Sequence, residues 1–249
     1  MKKEIKKIGK NVIDLQIRAL EQLKYSINDS FEKAVKTIIK CKSKIIICGV
    51  GKSGIIASKI SATLSSVDTP SFSISASDCS HGDLGRITKK DILILISNSG
   101  NTSELNNIIE YSKKNRITLI GIVSNKNSTL YKSSNIKLFI PEVIEAGYGI
   151  VPTSSTTMQL SIGDALAIAL MEKKNFGKLD FKKFHPSGAL SVKLKTAGDI
   201  MVTKKKIPFV NENQIIKNAL KILNLKKLGF VAVVNNKGLA CGIFTDGDL

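Results

Sequence analysis

The apolar residues of this chain follow two rhythms. Before residue 41 they recur three and four positions apart with charges between them, as in "MKKEIKKIGKNVIDLQIRAL", which is the spacing of an amphipathic helix. Residues 1–40 therefore predict two helices divided near "NDS" at 28–30, where Asn or Asp caps the second. From residue 44 onward, short apolar bursts alternate with helical stretches. "KIIIC" (44–48), "SFSIS" (71–75), "DILILIS" (91–97), "ITLIGIV" (117–123) and "IKLFI" (136–140) read as strands. Residues 53–66, 102–115 and 154–174 read as helices, and "ASDCSHGDLGRIT" reads as a loop. The run at 91–97 is almost continuously apolar, as in a strand buried on both faces. This alternation predicts an α/β fold with a five-stranded parallel sheet flanked by helices. In such folds ligands bind at the carboxyl ends of the strands.

The composition shifts near 191–206. Beyond it, residues 212–229 read as a helix, and "FVAVV" and "LACGIFTDGDL" as strands around an "NNKG" turn. Residues 191–249 thus form a second, small α/β unit that reads as incomplete.

Bulk properties narrow the function class. At 249 residues and 43% hydrophobic content, the chain suits one sizeable α/β core plus a smaller unit. No apolar run approaches the roughly 20 residues of a membrane span, and the basic start leads into a helix rather than a signal peptide. A cytoplasmic protein without a membrane partner is expected. Cys41, Cys48, Cys79 and Cys241 lie far apart, which argues against a disulfide framework or a structural zinc site. The net charge of +18 invites a nucleic-acid reading. However, Arg occurs only at Arg18, Arg86 and Arg116, the Lys are spread along the chain, and Trp is absent. Nucleic acid is not the expected partner.

The chemistry concentrates in loops after strands. "KIIICGVGKSG" (44–54) carries Gly49, Gly51 and Gly54 in G-x-G-x-x-G spacing, and its Gly-Lys-Ser resembles the end of a P-loop. A P-loop needs Gly where Ile46 stands, so that reading fails. The dinucleotide reading lacks an acidic residue closing "SFSIS". What remains is an anion site of backbone N–H groups at a helix start, with Lys52 and Ser53 facing the crevice. "SNSGNTSE" follows the buried strand. Ser97, Ser99, Thr102 and Ser103 place four hydroxyls within seven residues at another helix start. Helix capping accounts for one or two of them; a phosphate monoester accounts for the set. The two histidines, His81 and His185, lie in Gly-bearing loops without metal-ligand neighbours, which suits proton transfer. Glu104 closes the phosphate loop, and Glu145 enters a Gly-rich turn before the long helix. Local sequence leaves both open between function and a solvated or dipole-matched surface position.

Taken together, the blocks "GVGKSG", "HGDLG", "ISNSGNTSE", "EAGYGIVPTSSTT", "GDALA" and "HPSGAL" resemble the sugar isomerase (SIS) family, and within it the D-arabinose 5-phosphate isomerases. "AGDIM … FTDGDL" resembles the first half of a tandem CBS pair. The resemblance implies a SIS domain over 1–190 and an incomplete CBS domain over 191–249. It also implies interconversion of D-ribulose 5-phosphate and D-arabinose 5-phosphate without a cofactor, supplying the Kdo branch of lipopolysaccharide biosynthesis. By motif, Lys52, Glu104, Glu145 and His185 would be the catalytic set. His81, Ser53, Thr69, Ser97, Ser99 and Thr102 would bind substrate. Such a reaction needs a base near C1/C2, a stabiliser of the developing oxyanion and a phosphate anchor. Glu145 or His185 would carry the proton and Lys52 would stabilise charge, with Glu104 orienting Lys52 or handling a hydroxyl proton. The family often has a histidine capable of metal binding where this chain has Ser75, so no metal is expected. SIS sites are completed by neighbouring subunits, which implies a homo-oligomer, a tetramer. The alternatives are an isomerase of another sugar phosphate, a non-catalytic sugar-phosphate sensor, and a decayed copy.

Overall fold

The computed structural model describes residues 2–185 and 196–248. The chain divides into two compact units, Met1–Gly188 and Ala189–Leu249.

In the first unit, helices α1 (Lys2–Ser26) and α2 (Asp29–Ile39) precede the sheet. The Asn28 side chain caps α2 by accepting the Ser30 N–H at 2.9 Å, the stop and restart the sequence predicts. Strand β1 (Ile45–Gly49) leads to α3 (Lys52–Ser66), then to β2 (Ser71–Ser75) and a short α4 (Ala76–Cys79). The expected loop at 76–88 thus holds that turn of helix and a 3-10 turn, Asp83–Arg86. Strand β3 (Ile92–Ile96) is followed by α5 (Asn106–Lys114), β4 (Thr118–Val123), α6 (Thr129–Ser133) and β5 (Ile136–Phe139). A single-turn α7 (Ala146–Gly149), the long α8 (Ser154–Lys173) and α9 (Lys178–Phe184) complete the unit.

The five strands are parallel in the order β2-β1-β3-β4-β5. Their side chains alternate between two cores, as a period of two requires. Ile45, Ile47, Ile92, Ile94 and Ile96 join the core shared with α1, α2, α3 and α8. Ile46, Cys48, Leu93 and Leu95 join the core under α4 and α5. The sheet is therefore the middle of three layers. The chain leaves β1 toward β2 on one side and returns to β3 on the other, so the loops after β1 and β3 diverge at a topological switch point. A crevice opens there, at the carboxyl ends of the strands.

One contact fixes how α8 lies along α3. A Cβ on Gly163 would sit 2.4 Å from Ile60, so only glycine lets the two helices approach this closely. One residue on, Asp164 pairs with Lys59 of α3. This explains the Gly-Asp of "GDALA" as packing.

The second unit carries a three-stranded sheet, β6 (Phe209–Asn211), β7 (Phe230–Val234) and β8 (Ala240–Thr245), in sequential order. β6 and β7 are parallel; β7 and β8 are antiparallel. Helix Ile216–Lys226 packs Ala219 and Leu223 against Val210 and Val231.

Candidate functional site

The turn after β1 is built from its three glycines. A Cβ on Gly49 would meet the Ser53 backbone at 2.7 Å, and one on Gly54 would meet the Gly49 carbonyl at 2.8 Å. Gly51, at the N-cap of α3, has φ +57°, a conformation side chains resist. Strand and helix therefore meet through bare backbone, and the first N–H groups of α3 face the crevice with Lys52 and Ser53.

The loop after β3 is pre-shaped by its own hydroxyls. Ser97, 3% exposed, shares a hydrogen bond with Thr102 Oγ1 at 2.7 Å, and its Oγ accepts the Gly100 N–H at 3.0 Å. Ser99 Oγ accepts the Asn101 N–H at 3.3 Å. Gly100 has φ +68°, and a Cβ there would lie 2.1 Å from Ser128 Oγ. The loop thus holds a fixed path in which Ser97 is buried and Ser99 exposed. Glu104 follows it, exposed, with the Ser103 hydroxyl donating to Oε2 at 2.8 Å. Its own backbone N–H and then that hydroxyl hold its carboxyl below the ordinary range.

Glu145 sits across the crevice at the start of α8. Its Oε2 accepts the N–H groups of Thr153 and Ser154, both at 2.8 Å, and the Thr153 hydroxyl at 3.2 Å. Oε1 accepts one long bond, from the Ser155 N–H at 3.3 Å. Burial pushes the pKa of this group up, but the hydrogen bonds from Ser155 and Thr153 outweigh it, and the carboxyl titrates below its ordinary range. The carboxylate is ionised at neutral pH and is held by donors from Thr153, Ser154 and Ser155. Glu145, Lys52 and Ser53 line one cavity of about 370 Å³ together with Asn98, Ser155 and Gln159. Glu104 lines a second cavity of about 590 Å³ with Ser73, Ser75 and Ser77. Val50 lines both.

Residues 37–169 match the SIS domain and residues 197–249 the CBS domain. The arabinose 5-phosphate isomerase KdsD of Yersinia pestis is 41% identical over 248 residues, 99% of this chain and 76% of that protein. The KdsD of Francisella tularensis is 45% identical over 240 residues, 94% of this chain and 73% of that protein. The chain belongs to the SIS family of arabinose 5-phosphate isomerases. Among solved SIS structures, the Escherichia coli CFT073 protein c3406, in complex with arabinose 5-phosphate, superposes with TM-score 0.71 at 38% identity, covering 74% of this chain and 98% of its own. The Vibrio vulnificus NanR protein, complexed with ManNAc-6P, reaches TM-score 0.59 over 76% of this chain and 73% of its own, but at 17% identity it shares only the SIS fold.

Other motif residues of the SIS pattern lie elsewhere. His81 is exposed just past α4, its N–H on the Asp78 carbonyl at 2.9 Å, and it lines neither cavity. Thr69 is not brought to the crevice. It precedes β2, at the amino edge of the sheet, 3% exposed, with its hydroxyl accepting from Lys174 at 3.0 Å. Five residues of strand separate it from the carboxyl edge, about 16 Å. His185 stays on that same side. It follows α9, stacks on Phe181 at 3.8 Å between ring centroids, and its Nδ1 lies 3.0 Å from the Phe181 carbonyl. Lys183, two residues before it, pairs with Asp180 at 2.8 Å. The rest of "HPSGAL" (186–190) lies outside the described residues. Among the described residues, no three His, Cys, Asp or Glu side chains gather to hold a metal. The Ser75 hydroxyl caps α4, accepting from Asp78 N at 3.3 Å. None of the described helices is long and apolar enough to cross a membrane.

Sequence reasoning passed over Asn98 and Gln159. Gln159 is 1% exposed, between the buried Ser155 one turn before it and Ile162 and Gly163 one turn after. An amide at the point where a buried helix face turns from hydroxyls to apolar residues was the available signal.

Proposed function

We propose that this protein is an arabinose-5-phosphate isomerase interconverting D-ribulose 5-phosphate and D-arabinose 5-phosphate through an enediol. The observation that carries this reading is the gathering of Lys52 and the Glu145 carboxylate in one cavity at the switch point, beside the hydroxyl-lined loop at 97–102. Ser97, Ser99, Thr102 and Ser53 with the adjoining backbone N–H groups anchor the phosphate through neutral donors and the helix dipole. Glu145 takes the proton between C1 and C2, and Lys52 stabilises the developing oxyanion. Glu104 serves the hydroxyl proton. The identity to KdsD proteins supports the choice of substrate and, with it, a place in the Kdo branch of lipopolysaccharide biosynthesis in the cytoplasm. Residues 1–190 carry the chemistry; residues 191–249 form the separate CBS unit.

His185 and His81 enter this scheme through a second copy of the chain. The 20 residues of α8 run from Ser154, held by the Glu145 carboxylate, to Lys173, next to Lys174 at the opposite edge of the sheet, about 30 Å, and His185 lies beyond that far end. Exposed apolar side chains support subunit contacts on both sides: Ile144, Tyr148 and Ile150 beside the crevice, and Ile5, Ile8 and Ile13 on α1. The assembly is a homo-oligomer, a tetramer, in which one subunit's His185 closes another's crevice.

The test is turnover of D-arabinose 5-phosphate by the purified chain, following D-ribulose 5-phosphate, beside Glu145→Gln and His185→Ala. Robust turnover lost in both variants is expected. A folded wild-type chain that leaves the sugar phosphate unchanged would overturn the proposal.

A further inference from the structure

We infer that Gln159 is a substrate-contacting residue of this crevice: its amide fixes the Ser53 hydroxyl and presents a free hydrogen-bonding group to a sugar oxygen of the bound pentose phosphate. The inference rests on the isomerase reading and extends it to a residue outside the expected catalytic and binding set.

Three observations converge on it. Gln159 lies almost wholly inside the protein, yet lines the cavity that holds Lys52 and Glu145. Ser53 Oγ donates to its Oε1 at 3.1 Å. Its Nε2, buried, has no hydrogen-bond partner among the described residues. Turning the amide end for end exchanges oxygen and nitrogen against Ser53. One amide atom stays unpaired in either orientation.

An unpaired buried amide is a liability that folded proteins avoid unless something pairs with it. Nothing about the helix demands it. Beyond the buried Ser154 and Ser155 at its start, the other buried positions of α8 are Met158, Ile162, Gly163, Leu166, Ala167 and Leu170, and Met or Leu at 159 would continue that apolar run. The position is also rigid. Gln159 lies one turn before Gly163, whose missing side chain lets α3 and α8 touch, and before Asp164, which pairs with Lys59. The amide is therefore held in place beside Ser53 before any ligand arrives. A polyhydroxylated chain in the cavity supplies the oxygen that it lacks. A site built this way discriminates against ligands that leave its polar group unpaired.

The test compares wild type with Gln159→Met, which keeps the length of the side chain and removes both amide functions. Turnover of D-arabinose 5-phosphate, calorimetric binding of the same compound and Tm are measured on the full chain. We expect kcat/KM and affinity to fall about 10- to 100-fold while Tm changes little, because the variant removes an unpaired polar group together with the acceptor of the Ser53 hydroxyl. Wild-type kcat/KM and affinity in the Met variant would overturn the inference, and so would a lowered Tm with unchanged affinity. Gln159→Leu also removes both amide functions, in a shorter side chain. It decides the matter alone if the Met variant fails to fold, since wild-type affinity in it overturns the inference. A wild-type chain that neither binds nor converts the sugar phosphate overturns the isomerase reading itself, and this inference with it. Wild-type turnover with an unimpaired Gln159→Met overturns this inference alone.

Discussion

Glu145 Oε2 accepts the backbone N–H of Ser154 at 2.8 Å, tying a loop carboxylate to the first turn of the helix that walls the crevice. The same group is thus a helix cap and the proposed base. Glu145→Gln places an amide N–H2 or a neutral oxygen against N–H donors and removes the charge favoured by the helix dipole. Activity should fall by roughly 10²- to 10⁴-fold, and stability by about 1 kcal/mol, the usual cost of a lost cap. Steady-state kinetics and denaturant unfolding read the two effects separately.

The depressed pKa of Glu145 sets the acid side of the pH profile. The hydrogen bonds from Ser155 and Thr153 favour its ionised form, so the carboxylate stays charged through the range where an ordinary glutamate, near pH ~4.3, takes up its proton. Activity attributable to this group should persist below that pH and fall only as the folded-state value is passed. A pH–kcat/KM profile limited on its acid side well above the ordinary carboxylate range would assign that limit to a different group.

Two inactive variants should rescue one another. In the proposed assembly one subunit supplies Glu145 and another His185. Dissociated and reassembled equimolar mixtures of Glu145→Gln and His185→Ala should therefore recover about a quarter of the sites, as random mixing of subunits dictates. Recovery of no activity from a mixture shown by light scattering to have exchanged subunits would place the whole site within one chain.

Asp91 governs acid stability at the opposite edge of the sheet. Its side chain is wholly buried and accepts Ser43 Oγ at 2.6 Å, Thr88 N at 2.7 Å and Thr88 Oγ1 at 2.9 Å, with Lys44 Nζ at 3.4 Å. Burial pushes its pKa up; the Ser43 and Thr88 hydrogen bonds and then the Lys44 charge outweigh it and lower it. The stabilisation is therefore present above the unfolded aspartate pKa of ~3.9 and is lost as pH falls through the lower folded value. Asp91→Ala should cost about 3 kcal/mol at neutral pH, and the gap to wild type should narrow in acid. Urea unfolding at pH 7 and pH 3 measures both.

Gly100→Ala should damage the loop rather than the fold's core. The new methyl group would enter a left-handed conformation costing about 1–2 kcal/mol and press on Ser128 and Val123. We expect weaker binding of D-arabinose 5-phosphate, seen as a raised KM, together with a lower Tm.

The sheet and its two loops were legible along the chain because their causes are local. Ile45–Cys48 and Ile92–Ile96 are continuous apolar runs that only a strand buried on both faces accommodates. Gly49, Gly51 and Gly54 announce a backbone that side chains would block. Four hydroxyls after β3 announce a donor loop. Glu145 was only half legible. Its neighbours mark a turn, but nothing local shows that the turn folds its carboxylate back onto Thr153, Ser154 and Ser155, eight to ten residues on.

What the sequence determined, then, is the order of strands and helices and the chemistry of each loop, since apolar period, glycine and hydroxyl content act within a few residues. Tertiary structure decided which of those loops share a cavity. Parallel strands send every β-to-α loop to one edge and every α-to-β loop to the other. Ser53 and Glu145 therefore meet across ninety residues of chain, while Thr69 lies strand-length away from Ser75. The contact of α3 with α8 through Gly163 likewise buried Gln159 beside Ser53, a pairing set by helix packing rather than by spacing along the chain.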